Sequence, residues 1–308
     1  MQVLHSIEEL SHLPGPLALA IGVFDGVHLG HQEVIRAACE HAAQHQGSAV
    51  VVTFDPHPLR VLRPESAPKL LCGARHQRRI LDAMGLRHLL VCPFTKETAA
   101  TPARAFVKSL VEAARPLGCV SVGYTWSFGK GREGNIHLLT DMGQEHGFAV
   151  YGVPPVRVEG EVVSSTAVRE AVARGDFAKA RNLLGREYAV FGPVVEGRRL
   201  GRQIGFPTAN VDVENEQLPP AGVYAVEARL DGEWLPGVAN LGRRPTVADH
   251  ADLSLEVHLL DWSGDCYARD MEVRFVAALR AEMKFAGLDE LQAQIARDVD
   301  AARQVLRR

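Results

Sequence analysis

Leu17-Ala18-Leu19-Ala20-Ile21-Gly22-Val23-Phe24-Asp25-Gly26-Val27-His28-Leu29-Gly30-His31 is the stretch that decides the first half of the fold. It passes from an uncharged apolar run into a turn punctuated by Gly22, Gly26 and Gly30, and then, from Gln32 to Gln46, into an amphipathic segment. A short apolar run, a glycine-rich turn and a helix in that order read as the opening unit of a parallel sheet. His28 and His31 lie at the start of the helix, where backbone N–H groups and the helix dipole favour anions. Two imidazoles there suit a triphosphate whose α-phosphorus is attacked while pyrophosphate leaves. That chemistry needs positioning and charge stabilisation, with no covalent protein intermediate. By itself an HxGH equally fits a structural or metal-site histidine pair.

The same alternation continues to about residue 185. Further strands are expected at Ala49 to Phe54, His88 to Val91, Cys119 to Gly123 and Phe148 to Val153. Helices are expected at Ala74 to Met84, Pro102 to Ala114, Ile136 to His146, Ser165 to Ala173 and Phe177 to Leu184. This is the pattern of an α/β, doubly wound parallel sheet, in which ligands bind beyond the carboxyl ends of the strands. The loops at those ends are Gly22 to His31, Thr53-Phe54-Asp55-Pro56-His57-Pro58, and Gly123-Tyr124-Thr125-Trp126-Ser127-Phe128-Gly129. The fifth strand leads to Ser164-Ser165-Thr166. Together with Arg169, Ser164-Ser165-Thr166 offers three hydroxyls and a guanidinium at a helix start, suited to phosphate oxygens or, more plainly, to an N-cap. Lys130-Gly131-Arg132-Glu133 reads as a charged turn or a phosphate contact. His41 and His45 share a helical face without the glutamate of HExxH and are expected to face solvent.

From Tyr188 the pattern changes to short extended segments between Gly and Pro. Strands are expected at Tyr188 to Val195, Gly222 to Leu230, Glu233 to Ala239, Ser254 to Leu260 and Met271 to Phe275, with Asp231-Gly232 as a hairpin turn. A small antiparallel β-barrel follows from this, closed by a C-terminal helix. Leu288, Leu291, Ile295, Val299, Ala302 and Leu306 recur at helical spacing and form its apolar face. The run Gly197-Arg198-Arg199-Leu200-Gly201-Arg202-Gln203-Ile204-Gly205-Phe206-Pro207-Thr208-Ala209-Asn210 combines glycines that let backbone approach phosphates with the neutral oxygens of Thr208 and Asn210, which magnesium accepts beside phosphate. It also reads as a barrel loop with turn glycines. There is no GxxxxGKS/T element, and there are no HRD and DFG elements. Glu256, among apolar residues on a strand, is either capped by hydrogen bonds or a base for a substrate hydroxyl.

A chain of 308 residues with 46% hydrophobic and 23% charged side chains is an ordinary globular composition, long enough for two domains. The boundary is expected at residues 185 and 186, dividing 1–185 from 186–308. A net charge of -3 excludes the global basic field of a nucleic-acid binder. No window is apolar enough for a membrane span and no signal peptide is evident, so a cytoplasmic enzyme of small-molecule substrates is expected. The five scattered cysteines suit a reducing cytosol and argue against structural zinc. Nothing in the sequence bears on oligomeric state.

With these residues assembled, the chain resembles the bacterial bifunctional riboflavin kinase/FMN adenylyltransferases, or FAD synthetases, over essentially its whole length. The stretches that carry the resemblance are GVFDGVHLGH, TFDPHP, GxxxxFGxGREG, SSTAVR, GRQIGFPTAN, GVANLGRRPT, EVHLLD and the tail LRAEMKF, in that order. It implies that riboflavin and ATP give FMN and ADP, and that FMN and ATP then give FAD and pyrophosphate. It further implies that His28 and His31 stabilise the ATP phosphates during adenylyl transfer, assisted by Ser164, Ser165, Thr166 and Arg169. Gly22, Phe24, Asp25, His57, Thr125 and Arg132 would complete that site. In the kinase half, Thr208 and Asn210 would ligate Mg2+ with ATP, and Glu256 would be the general base for the terminal ribityl hydroxyl. Gly201, Gly205, Pro207 and Asn240 would line the kinase site, and Arg280 would help bind flavin.

One departure stands out. After Gly123-Tyr124 the family usually carries Asp or Asn followed by Phe, whereas this sequence has Thr125-Trp126. Threonine keeps a hydroxyl and loses the reach of a carboxylate or amide, and Trp126 is able to stack. Two alternatives therefore accompany the bifunctional reading: a riboflavin kinase with a weak or inactive adenylyltransferase half, and a nucleotidyltransferase for another phosphorylated metabolite. GFPTAN and Glu256 count against the latter. Intact His28, His31, Thr208, Asn210 and Glu256 count against a non-enzymatic flavin-binding or nucleotide-binding regulator.

Overall fold

The computed structural model describes residues 1–197, 201, 204–243 and 253–307. Arg198, Arg199, Leu200, Arg202 and Gln203 of the glycine-arginine run, and Arg244, Pro245 and Thr246 of GVANLGRRPT, lie outside the described residues. Residue contacts divide the chain into two units, Met1–Pro68 with Gln77–Ser165, and Lys69–His76 with Thr166–Arg308.

The first unit carries a six-stranded sheet of β1 (Gln2–Leu4), β2 (Leu17–Ile21), β3 (Ser48–Asp55), β4 (His88–Pro93), β5 (Leu117–Gly123) and β6 (Ala149–Val153), all parallel, in the order β1-β4-β3-β2-β5-β6. Every residue of β2 is buried, as a central parallel strand covered on both faces requires. Its side chains alternate between two cores. Leu17, Leu19 and Ile21 join Val52, Val120 and Val122 under Val107 and Leu110 of α5 (Ala103–Ala113) and Leu139 and Met142 of α6 (Ile136–His146). On the other face the small Ala18 and Ala20 lie with Val51 and Cys119 in a cluster with Val34, Ile35 and Ala38 of α1 (Leu29–Gln44) and Leu81 of α3 (Ala74–Ala83). Each large aliphatic side chain so buried stabilises the unit by about 1.5–3 kcal/mol. Short elements without a readable period were not anticipated: β1, α2 (Pro58–Leu62), α4 (Lys96–Ala99) and a hairpin of β7 (Arg157–Val158) and β8 (Glu161–Val162).

His41 corrects the expectation that it faces solvent: it is 7% exposed. Position 41 falls on the stripe of α1 that also carries Val34, Ala38 and Ala42, all buried. Its Nδ1 lies 3.0 Å from the Tyr151 hydroxyl and its ring stacks on His45, which is exposed. Burial, with His45 adding to it, holds the His41 imidazole below its usual range, which favours the neutral ring. All five cysteines are free, and burial pushes the Cys92 and Cys119 thiols up to about 12, which makes both unreactive.

The second unit contains, after α7 (Ser165–Arg174), which enters it at Thr166, and α8 (Phe177–Leu184), a closed barrel. Its strands are β9 (Ala189–Val195), β10 (Ala209–Val211), β11 (Gly222–Leu230), β12 (Glu233–Arg243), β13 (Leu253–Leu259) and β14 (Asp270–Ala281), in the order β10-β13-β12-β11-β14-β9. Asp231 (φ 50°) and Gly232 (φ 98°) make the hairpin turn between paired Leu230 and Glu233, both left-handed as a tight hairpin demands. The strand not foreseen is β10, three residues at the end of the GFPTAN run, too short to show alternation. The closing helix, α9 (Leu288–Leu306), packs Val299, Ala302 and Leu306 on Val223, Ala225, Val238 and Leu260, while Leu288 at its start is 66% exposed.

Residues 69–76 belong to this unit because their backbone is bonded to the segment that follows β10. The Leu70 carbonyl accepts from Glu216 and Gln217 N–H, and the Leu71 carbonyl accepts from the Tyr188 hydroxyl and the buried Asn215 amide. Arg75 pairs with Glu214 and Asp270, and His76, 3% exposed, stacks on Phe191.

Candidate functional site

In the first unit the chain runs outward from β2 to β3 and returns to β5 on the other side of β2. Reversal of strand order there opens a crevice at the carboxyl ends of β2 and β5, flanked by the loops 22–28 and 124–135. His28 is the N-cap of α1, an unusual residue for a place that favours Ser, Thr, Asp or Asn. Its Nδ1 accepts from His31 N–H at 3.2 Å, so Nδ1 is unprotonated and the ring proton sits on Nε2 as a donor. The His28 and His31 rings stack 3.6 Å apart, and Phe24 meets His31 edge-on at 5.3 Å. Gly30 makes the stack possible: a Cβ there would stand 3.2 Å from His28 Cε1. Gly22 plays the same part for Phe24, whose ring would lie 3.0 Å from a Cβ at position 22.

The turn stores backbone strain. Phe24 (φ 52°) and Val27 (φ 41°) are left-handed without being glycine, at about 1–3 kcal/mol each. Four side chains hold its carbonyls. Thr53 Oγ donates to Val23, Gln77 Nε2 to Val23 and Phe24, Ser165 Oγ to Asp25, and Gln32 Nε2 to Val27. Gln32 and Gln77 were not singled out from sequence, since a polar residue on a polar helix face has no distinguishing pattern. Of the helix-start group, Ser165 thus touches the Asp25 loop, and Ser164 precedes it. Thr166 and Arg169 fall in the second unit, where Arg169 Nε donates to the Lys69 carbonyl at 2.7 Å. His57 caps α2 through Nδ1, which accepts from Leu59 N–H.

On the loop after β5, Thr125 is exposed and Trp126 stacks on Phe128 with ring centroids 4.4 Å apart. Arg132 (φ 61°) donates from Nε to Ser127 Oγ at 2.7 Å, and Glu133 accepts the Ala103 N–H at the start of α5, where Pro102 offers no side-chain cap.

In the second unit, β-sheet register assembles residues that are far apart in sequence. Asn210 on β10 stands opposite Glu256 on β13, which stands opposite Asn240 on β12. Directly opposed residues share a face, so these three form one row across adjacent strands. The same row continues through Val223 on β11 to Arg280 on β14. Leu255, Val257 and Leu259 are buried while Glu256 and His258, between them, are half-exposed, which puts Glu256 on the outer face of the barrel wall. Among the described residues the Glu256 carboxylate takes no hydrogen bond or ion pair.

Thr208 and Asn210 face a bare glycine backbone. A Cβ at Gly201 would stand 3.5 Å from Thr208 Oγ, and one at Gly197 would stand 2.6 Å from Asn210 Cγ. Gly205, at φ 86°, and the bond from Phe206 N–H to the Gly201 carbonyl set the bend before exposed Pro207. His258, also not foreseen, bonds the Pro207 carbonyl through Nδ1 at 2.8 Å and meets Phe206 edge-on. Its place two residues after Glu256 on one strand face was the readable signal. The neutral oxygens of half-buried Thr208 and buried Asn210, beside the half-buried backbone of Gly197 and Gly201, suit a magnesium ion that arrives already bound to phosphates. Arg280 makes a bidentate pair with buried Asp298 of α9 and a bond to the Ala281 carbonyl. Gly197→Ala is expected to displace the Asn210 side chain and lower the reaction of this unit about 100-fold, with that of the first unit unchanged, measured as separate initial rates.

Comparison with known proteins bears on both halves. The FAD synthetase family matches residues 11–167 and the riboflavin kinase family residues 184–306. A bifunctional riboflavin kinase/FMN adenylyltransferase of Escherichia coli strain K12 is 42% identical over 306 residues, 99% of this chain and 97% of that protein. A Bacillus subtilis protein of the same description is 34% identical, covering 92% of this chain and 90% of its own. Among solved structures, a Streptococcus pneumoniae protein described as a macrolide-efflux protein superimposes with a TM-score of 0.84 at 28% identity, covering 98% of this chain and 99% of that one. No helix among the described residues is long and apolar enough to cross a membrane. With an HxGH turn at the switch point of a parallel sheet, a barrel wall that aligns Asn210 with Glu256, and full-length relatives matching in both halves, this chain belongs to the bifunctional riboflavin kinase/FMN adenylyltransferase family.

Proposed function

We propose that the enzyme phosphorylates riboflavin to FMN in residues 186–308 and adenylylates FMN to FAD in residues 1–185, as a protein of the cytoplasm. The observation that carries the kinase reading is the row of Asn210, Glu256 and Asn240. A carboxylate that takes no hydrogen bond or ion pair among the described residues, beside a candidate phosphate and magnesium cradle, suits a general base. Glu256 takes the proton of the terminal ribityl hydroxyl, the freed oxygen attacks the γ-phosphorus of ATP, and ADP leaves. Thr208 and Asn210 would hold the magnesium that accompanies ATP, whose charge neutralises the phosphates.

In the first unit an FMN phosphate oxygen attacks the α-phosphorus of a second ATP and pyrophosphate departs. His28 Nε2–H, with His31 stacked against it at the N-terminus of α1, donates to the phosphate oxygens on which charge develops. Ser164 supplies a further donor to the triphosphate, Ser165 holds the Asp25 loop beside it through the Asp25 carbonyl, and Asp25, His57, Thr125 and Arg132 border the bound nucleotide and flavin. The Thr125-Trp126 departure lies on the loop after β5 and leaves the His28 cap untouched, which supports an active adenylyltransferase.

A chromatographic time course of riboflavin with excess Mg-ATP tests both steps together. FMN is expected to rise first and FAD to follow. Arrest at FMN would remove the adenylyltransferase assignment, and absence of FMN would remove the kinase assignment.

A further inference from the structure

We infer that Gln77 is a positioning residue for adenylyl transfer, an inference that rests on the reading of the first unit given above. Its single side-chain nitrogen donates to the Val23 carbonyl at 3.0 Å and to the Phe24 carbonyl at 3.1 Å. Those two carbonyls belong to the two peptide planes that meet at the Phe24 Cα. One amide, with one hydrogen for each carbonyl, therefore fixes both planes about a residue held at φ 52°. Thr53 Oγ donates to the Val23 carbonyl and Val27 N–H to the Phe24 carbonyl, so each of these bonds holds one of the two planes where Gln77 holds both.

What depends on that conformation is the geometry of the histidine pair. The left-handed angle at Phe24 places its ring over Gly22 and edge-on to His31, and His31 in turn stacks on His28. Without the Gln77 bridge, Phe24 relaxes toward its ordinary right-handed or extended backbone, the ring leaves the edge of His31, and the donors shift from the phosphorus they serve. Gln77 is bonded to the turn through two backbone carbonyls, so its effect falls on the rate of the chemical step. A plain structural tether would instead lower stability and both activities alike.

Full-length Gln77→Met, of similar length without an N–H, and Gln77→Glu, which turns an acceptor toward two acceptors, test this. Both are assayed for FMN adenylylation and for riboflavin phosphorylation in the same preparation. The expected result is a fall of about 30-fold to 100-fold in kcat for FAD formation, with KM for FMN and kinase turnover both within about twofold of the unaltered enzyme. Adenylylation by Gln77→Met within about threefold of the unaltered enzyme would overturn the inference, as would a loss confined to KM or an equal loss of both activities. Failure of the unaltered enzyme to make FAD would instead remove the reading on which the inference stands.

Discussion

Glu256→Gln is expected to lower riboflavin phosphorylation about 1,000-fold, within the range that a general base contributes, while FMN supplied to the same protein is still converted to FAD. Glutamine keeps the volume and the place in the row between Asn210 and Asn240, so the barrel register is preserved. Only the capacity to take a proton is lost. The other reading of Glu256, a structural carboxylate satisfied by neighbours, makes the opposite forecast, since an amide of the same shape would serve nearly as well. Initial rates of FMN and FAD formation, measured separately, decide between them. Equal loss of both products would sink the assignment of the two reactions to separate sites.

His28 carries the second large effect, and its double role calls for two variants. Alanine removes both the N-cap acceptor and the imidazole donor, so His28→Ala is expected to lose about 1 kcal/mol of stability and about 100-fold to 1,000-fold in FAD formation. Asparagine restores the cap, because its side-chain oxygen accepts the N–H that His28 Nδ1 now accepts. It does not extend a donor to the position of the ring Nε2. His28→Asn should therefore recover the unfolding temperature and leave adenylylation as low as in His28→Ala, with riboflavin phosphorylation retained by both. Recovery of FAD formation with asparagine would mean that His28 serves the helix and not the phosphates.

The positions of these two residues were legible to different degrees. HxGH after an apolar run locates itself: strand, turn and helix start are local properties, and the histidine spacing puts both rings at one helix end. Glu256 was legible only as a charged residue in an apolar strand. Its neighbours Asn210 and Asn240 come from positions 46 residues before and 16 before, a conjunction set by barrel register. His41 misled for the converse reason. Sharing a helical face with His45 and lacking the glutamate of HExxH, it was expected in solvent, yet its helical position put it on the sheet side, where the Tyr151 hydroxyl makes burial tolerable.

From the order of residues alone came the parallel α/β half, the antiparallel barrel with its closing helix, and the family, because periodicity, turn glycines and motif order are properties of neighbouring residues. Folding in three dimensions decided that β10 completes the barrel, that residues 69–76 bond to the segment around Asn215, and that Gln77 spans the carbonyls on both sides of Phe24. Each of these joins groups separated by tens of residues along the chain. Such contacts are chosen by packing and by the need of buried polar groups for partners, and no local pattern records that choice.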